Sequence, residues 1–107
     1  MKLVSNGSFD LHQQALTEAI LHAVKREIEN VDAPTEIVEQ LTGSIAFAVT
    51  SLLDDVTSAE SGDGAASPIL TFLVGEDALE FAGGNSWMHE YVYRLLPKIF
   101  DKSASGR

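Results

Sequence analysis

Apolar residues recur at three- and four-residue steps through the first half of the chain, and this pattern predicts two helices. The first is expected from Asp10 to Asn30 and the second from Thr35 to Val56. The middle of the second helix is apolar or small almost all round, because Gly43 and Phe47 lie opposite its main apolar stripe. We therefore expect this helix to be the central element, buried on two faces by the fold itself or by a partner.

The composition changes after the second helix. Residues 57–68 (TSAESGDGAASP) are dominated by small and acidic side chains, which predicts a mobile surface loop. Beyond the loop, residues 69–74 and 79–82 are rich in branched and aromatic side chains and are separated by a short turn. Such a pair of segments predicts a β-hairpin.

The hairpin is expected to have one strongly apolar face. Pairing across the turn would place Val74 opposite Leu79 and Phe72 opposite Phe81. Two strands alone are marginally stable in water, so this face must lie on helices or the hairpin must recruit further strands.

Helical periodicity returns at the end of the chain. Residues 83–86 (GGNS) interrupt the second strand, and a final helix with a wide apolar stripe is expected from Ser86 to Lys102. The element order α-α-β-β-α predicts a small α+β fold with one hairpin packed on helices. The central apolar helix is expected to pack between the other two helices and against the Phe72/Phe81 face of the hairpin. A length of 107 residues suits a single domain, with frayed termini at residues 1–8 and 103–107.

Composition excludes several classes of chemistry. The chain has no cysteine, so disulfides, thiol nucleophiles and zinc–thiolate sites are ruled out. The first residues turn polar after Leu3 and Val4, unlike a signal peptide. The longest uncharged stretch, residues 40–53, is too short to cross a bilayer. We expect a soluble cytoplasmic protein that does not associate with a membrane.

The charges are distributed very unevenly. No lysine or arginine occurs between Glu27 and Tyr93, whereas this stretch holds thirteen of the acidic residues of a chain with a net charge of −9. The helix–helix–hairpin–helix order invites comparison with a winged helix-turn-helix protein, whose recognition helix would be residues 36–55. That segment has no basic residue to contact phosphate, which excludes direct nucleic-acid binding. A basic protein partner is favoured by electrostatic steering, although the charge could also serve solubility alone.

The histidines give no catalytic or metal signature. His12, His22 and His89 do not have the spacing of metal ligands. His89-Glu90 begins like a zinc-protease motif, but Tyr93 occupies the position of the second ligand. We therefore predict surface or helix-capping roles for the histidines, and no catalytic residue, metal or cofactor.

An acidic cluster follows the second helix. The spacing of Asp54, Asp55, Glu60 and Asp63 does not match a calcium-binding loop. Asp54 and Asp55 come at the end of a helix, where the helix dipole is also negative, so their placement is mildly unfavourable. The sequence shows no structural return for that cost.

The predicted elements leave more apolar surface than one small core can use, and large exposed apolar patches usually mark association sites. We therefore expect a homodimer, the commonest closed oligomer. The dimer could join two hairpins into a four-stranded sheet or pack the two central helices together. The candidate interface residues are Phe47, Ile69, Leu73, Trp87 and Tyr91. The expected function is a small acidic protein–protein interaction module that acts as an adaptor, an inhibitor or immunity-type protein, or an assembly factor.

A different class of function stays open. A small enzyme or ligand-binding domain could form a pocket between the hairpin and the last helix. Its candidate residues are Glu80, His89, Glu90 and Tyr93. These are close in sequence, but strand and helix geometry would have to make them converge.

Overall fold

The computed structural model describes residues 1–5, 7–62 and 64–100. In chain order the elements are β1 (Lys2–Val4), α1 (Phe9–Asn30), α2 (Thr35–Leu53), β2 (Ala59–Ser61), β3 (Gly64–Ala66), β4 (Phe72–Val74), β5 (Ala78–Glu80) and α3 (Met88–Ile99). The α+β class expected from the sequence is confirmed. The tail predicted at 103–107, and Lys102 at the expected end of the last helix, lie outside the described residues.

Two small sheets accompany the helices. One has the strand order β1-β5-β4, with β1 parallel and β4 antiparallel to β5, and the other is the β2–β3 hairpin. Residues 2–4 therefore form a strand where the sequence predicted a frayed terminus, and part of the predicted loop 57–68 is a hairpin. Both additions use backbone hydrogen bonds in segments too short to show a periodic pattern.

The predicted register of the β4–β5 hairpin is wrong by one residue. The observed pairs are Val74 with Ala78, Leu73 with Leu79, and Phe72 with Glu80. The turn has three residues rather than four, and Gly75 adopts a positive φ of 65° that a tight turn requires. Because side chains alternate along a strand, the shift changes which residues share a face.

The hairpin rests on the beginning of α1. The Phe72 ring lies 5.2 Å from the ring of Phe9 and 5.3 Å from the ring of His12, measured between centroids. The hairpin thus packs on helices as predicted, although the sequence placed the Phe72 face against the second helix. Phe9 and His12 are one turn apart on α1, so a single aromatic side chain anchors the sheet to that helix.

The three helices pack on one another around a small core. Its buried members are Leu21, Ala46, Val92, Leu96 and Ile99. The side of α2 that faces this core is made mostly of small residues, including Thr42, Gly43, Ala46 and Thr50. A Cβ added to Gly43 would lie 2.9 Å from Tyr93 Cε1 and 3.0 Å from Leu96 Cδ2, so glycine allows α3 to approach α2 closely.

The other side of α2 is open to solvent. Its five large aliphatic side chains are each 37–41% exposed: Ile37, Leu41, Ile45, Val49 and Leu52. The sequence predicted that α2 would be buried on two faces, and the fold buries one of them. None of the helices in the described part of the chain is long and apolar enough to cross a membrane.

Candidate functional site

Asp54, the residue that follows α2, is buried and caps the beginning of α3. Its Oδ1 accepts a hydrogen bond from Ser86 Oγ at 2.5 Å, and its Oδ2 accepts one from the backbone N–H of His89 at 2.6 Å. Its backbone carbonyl accepts a further bond from Asn85 Nδ2. A carboxylate at a helix N-terminus satisfies backbone donors that have no partner within the helix. The carboxylate placed unfavourably at the end of α2 therefore stabilises the start of α3.

The same carboxylate fixes the orientation of the His89 ring. His89 Nδ1 lies 2.7 Å from Asp54 Oδ2, and an ionised carboxylate only accepts, so Nδ1 carries the hydrogen. The opposite nitrogen, Nε2, lies 3.4 Å from Oε2 of the exposed Glu90. His89 is itself buried, whereas the side chain of Glu90 is 58% exposed.

Aromatic rings surround His89. Trp87 stacks on it at 5.7 Å between centroids and 29° between ring planes, and Phe47 meets it edge-on at 6.0 Å. Tyr93 adjoins Phe47 at 5.7 Å. Trp87 is 57% exposed, Tyr93 54% and Phe47 38%. We refer to Phe47, Trp87, His89 and Tyr93 as the aromatic patch; it joins two predicted interface residues to two predicted pocket residues.

The remaining predicted interface residues lie elsewhere. Ile69 and Leu73 are exposed, with Leu73 on the sheet. Tyr91 connects α3 to α1, since its hydroxyl donates to Asp10 Oδ1 at 2.5 Å. That hydrogen bond, with help from Gln13, holds the pKa of Asp10 below its usual value, and it raises the pKa of Tyr91. Tyr91 therefore stabilises the contact between two helices of the same chain.

Glu80, the fourth predicted pocket residue, belongs to a second buried carboxylate site. It accepts hydrogen bonds from Ser8 Oγ and from the ring of His12, whose Nδ1 is 2.7 Å away. Burial acts to raise the pKa of Glu80, but the hydrogen bonds from Ser8 and His12 outweigh it, so the net pKa is lowered. Glu80 thus links β5 to the beginning of α1 through the side chains of Ser8 and His12, and it is not grouped with His89, Glu90 and Tyr93.

These two carboxylate–histidine pairs were not found by sequence reasoning. Asp54 and His89 are 35 positions apart, and His12 and Glu80 are 68 apart. The sequence did contain one local signal. An aspartate at the end of a helix interacts unfavourably with the helix dipole, and such a cost indicates a compensating contact elsewhere for Asp54. Glu80 gave a weaker signal, as an acidic residue within an apolar strand.

The surface cavities do not coincide with the predicted pocket. Three surface cavities of about 360–740 Å³ are lined by other residues than the four predicted for a pocket. Among the residues that the structure describes, no group of three or more histidine or acidic side chains could hold a metal ion. Comparisons with protein-family models, with curated proteins and with solved structures return no match for this chain.

The exposed side of α2, here called the outer α2 face, has large and small side chains arranged in neighbouring rows. Ile37, Leu41, Ile45 and Val49 follow one another at four-residue steps and form a ridge. The neighbouring four-residue row consists of Gln40, Ser44, Ala48 and Leu52, and its two middle side chains are small. No charged residue occurs between Glu39 and Asp54. A ridge of branched side chains therefore runs beside a shallow groove, whose middle is formed by the small residues Ser44 and Ala48.

Proposed function

We propose that this protein is a homodimeric protein-interaction module whose two copies meet through the outer α2 face. The observation that supports this most is the ridge beside the groove on one helix. In the commonest class of helix packing, four-residue ridges of each helix fit into the grooves of the other at a crossing angle of about −50°. A face that carries both features is complementary to itself, as a two-fold interface requires.

The exposed apolar area is of the right size for a reversible dimer. Full burial of a Leu, Ile or Val side chain contributes about 1.5–3 kcal/mol, so the part still exposed on each of the five large residues is worth about 1 kcal/mol. A symmetric dimer buries the face twice, which gives about 10 kcal/mol in total. Association costs roughly 4–15 kcal/mol. At the lower end of that range about 6 kcal/mol remains, so we expect a weak dimer with a dissociation constant on the order of tens of micromolar.

The charges around this face set the crossing and the salt dependence. Glu36 lies at one end of α2 and Asp55 just beyond the other, and the stretch between residues 40 and 53 is uncharged. A crossing angle of about −50° brings the uncharged middles together and moves the acidic ends apart. Residual repulsion between two acidic copies is screened by salt, so the dimer should tighten as ionic strength rises.

The acidic surface outside the dimer interface could bind a second, basic protein. A single-sign surface accelerates association with a protein of opposite charge. The roles that fit are an adaptor, an inhibitor or immunity-type protein, or an assembly factor for a basic protein. A cytoplasmic location stays a prediction from the sequence.

The alternative of a small enzyme or ligand-binding domain has weaker support. The four candidate residues are divided between two places, because Glu80 is bonded to Ser8 and His12. The closest approach to catalytic geometry is the Asp54–His89 pair. Asp54 is nevertheless committed to three hydrogen bonds that hold α3, which is a structural use.

Light scattering behind size exclusion tests the dimer directly. We expect the mass to rise with concentration from the 11.5 kDa of one chain towards twice that value. Ile45→Glu, at the centre of the ridge, should hold the protein at the monomer mass, whereas the matched control Leu73→Glu on the sheet should not. A monomer at all concentrations up to about ten times the predicted constant, roughly several hundred micromolar, would overturn the proposal.

A further inference from the structure

The aromatic patch combines exposed rings with an acidic surrounding. Trp87 and Tyr93 are each more than half exposed, and the carboxylate of Glu90 beside His89 is 58% exposed. No lysine or arginine occurs in the sequence from residue 28 to residue 93. Aromatic faces attract cations through the ring quadrupole, and tryptophan does so best. An adjacent exposed carboxylate adds a charge for a cationic group to pair with.

We propose that the aromatic patch binds an arginine side chain of a basic protein partner. A guanidinium is planar, so it can stack on the Trp87 ring and direct its N–H groups to the Glu90 carboxylate. A lysine ammonium could not do both with the same geometry, because it is a compact point charge. This inference rests on the proposed interaction function and names the partner chemistry of that module.

The patch is held in place before any partner arrives. The Asp54 hydrogen bond to Nδ1 fixes the His89 ring, and Trp87 stacks on that ring. Phe47 contacts both His89 and Tyr93, so the rings of α2 and α3 form one continuous surface. A preformed surface loses less conformational entropy on binding than side chains that must first be ordered.

The local electrostatics also favour a cation. The beginning of a helix carries a partial positive charge, which would oppose a guanidinium near Trp87. The Asp54 side chain lies at that helix start and accepts a hydrogen bond from the backbone N–H of His89. Glu90, whose side chain is 58% exposed, adds a carboxyl group beside the patch.

The chain already uses the same interaction at other rings. Arg94 lies over the ring of Tyr91 at 5.2 Å, and Lys25 lies over the ring of Phe100 at 4.9 Å. Both cations are thereby placed on aromatic residues outside the patch. Trp87 and Tyr93 are each more than half exposed, so an external cation can reach their rings.

Trp87 makes the test direct, because it is the single tryptophan of the chain. The probe is a synthetic Gly-Ser peptide with two arginines, compared with the same peptide in which citrulline replaces both arginines. Citrulline keeps the planar shape and removes the charge. We expect a saturable change of Trp87 fluorescence with the arginine peptide and binding at least about tenfold weaker with citrulline, since the cation supplies the attraction.

Two matched substitutions separate local binding from general charge attraction. Glu90→Gln and Glu76→Gln remove the same charge, but Glu76 is exposed in the turn between β4 and β5. We expect Glu90→Gln to weaken peptide binding about fivefold or more and Glu76→Gln less than twofold. Trp87→Leu, followed by calorimetry instead of fluorescence, should weaken binding as strongly as Glu90→Gln. The two glutamine variants acting equally, or the two peptides binding equally, would overturn the proposal.

The titrations are made with the Ile45→Glu variant as well as with the natural sequence. Peptide binding to the monomeric variant would support the patch as a site of its own. If neither protein binds the arginine peptide, the inference about the patch is wrong, while the mass measurement decides separately whether the dimer exists.

Discussion

Asp54 and His89 are joined twice through a single carboxylate oxygen: Asp54 Oδ2 accepts from both the backbone N–H and the ring Nδ1 of His89. The pair links the end of α2 to the beginning of α3. Because the His89 ring in turn supports Trp87, a capping interaction of the fold also orients the exposed surface of the aromatic patch. Stability and surface chemistry therefore depend on the same buried carboxylate.

The first prediction concerns that carboxylate. Asp54→Asn replaces an acceptor oxygen by an amide that must face a donor from Ser86 or His89. Leaving a buried donor unsatisfied costs about 1–3 kcal/mol, and we expect a loss of about 2 kcal/mol in the free energy of unfolding. Urea denaturation followed by circular dichroism measures it.

Asp55→Asn is the control for this prediction, because Asp55 is the next residue and is less buried. We expect it to change the free energy of unfolding by less than about 0.5 kcal/mol. Equal effects of the two substitutions would contradict the capping role of Asp54.

The second prediction concerns the close approach of α2 and α3 at Gly43. A Cβ there would already lie 2.9 Å from the Tyr93 ring, and a valine adds two further methyl groups. We expect Gly43→Val to destabilise the protein by about 2 kcal/mol through overpacking. Gln40→Val, on the exposed side of the same helix, should have a much smaller effect in dilute solution. A Gly43→Val protein as stable as the natural one would show that the helices are not packed this closely.

The third prediction is a dependence of stability on pH that originates at Glu80. The pKa of Glu80 is lowered in the folded state from its ordinary value of 4.5, so its ionised form stabilises the fold. That contribution is complete above about pH 4.5 and is lost as the pH falls through the lowered folded pKa. Glu80→Gln should therefore lose less stability than the natural protein between pH 7 and pH 3.

Urea midpoints at the two pH values provide the measurement. Glu76→Gln is the matched control, because it removes an exposed carboxylate and should leave the natural pH dependence intact. An equal fall in midpoint for Glu80→Gln and the natural protein would place the origin of acid sensitivity elsewhere.

Local patterns were enough to predict the three helices and the main hairpin. Their signals, helical periodicity and branched residues beside a turn, lie within a few positions of one another. The register was misjudged because the number of turn residues depends on the backbone conformation at Gly75, which the sequence leaves open. The pairing of residues 2–4 with β5 depends on contacts across more than seventy positions.

The aromatic patch could be predicted only in part. Phe47 and Trp87 were recognised as surplus apolar residues, but their contact through His89 depends on how α2 and α3 dock. The pattern also could not predict which side of α2 faces the core. The small residues and the large residues of this helix each form a continuous stripe, and either stripe could have been buried. Gly43 and Ala46 permit the closer helix approach, so the core took that side and the larger side chains were left outside.

We propose that two copies of the chain meet through the outer α2 face. Filtered nuclear Overhauser spectroscopy on a mixture of ¹³C-labelled and unlabelled chains tests this most directly. At concentrations where the mass is that of a dimer, we predict contacts between the methyl groups of Ile45 in one copy and Ala48 in the other. Intermolecular contacts confined to Leu73 and the sheet would contradict the account and place the interface on the hairpin.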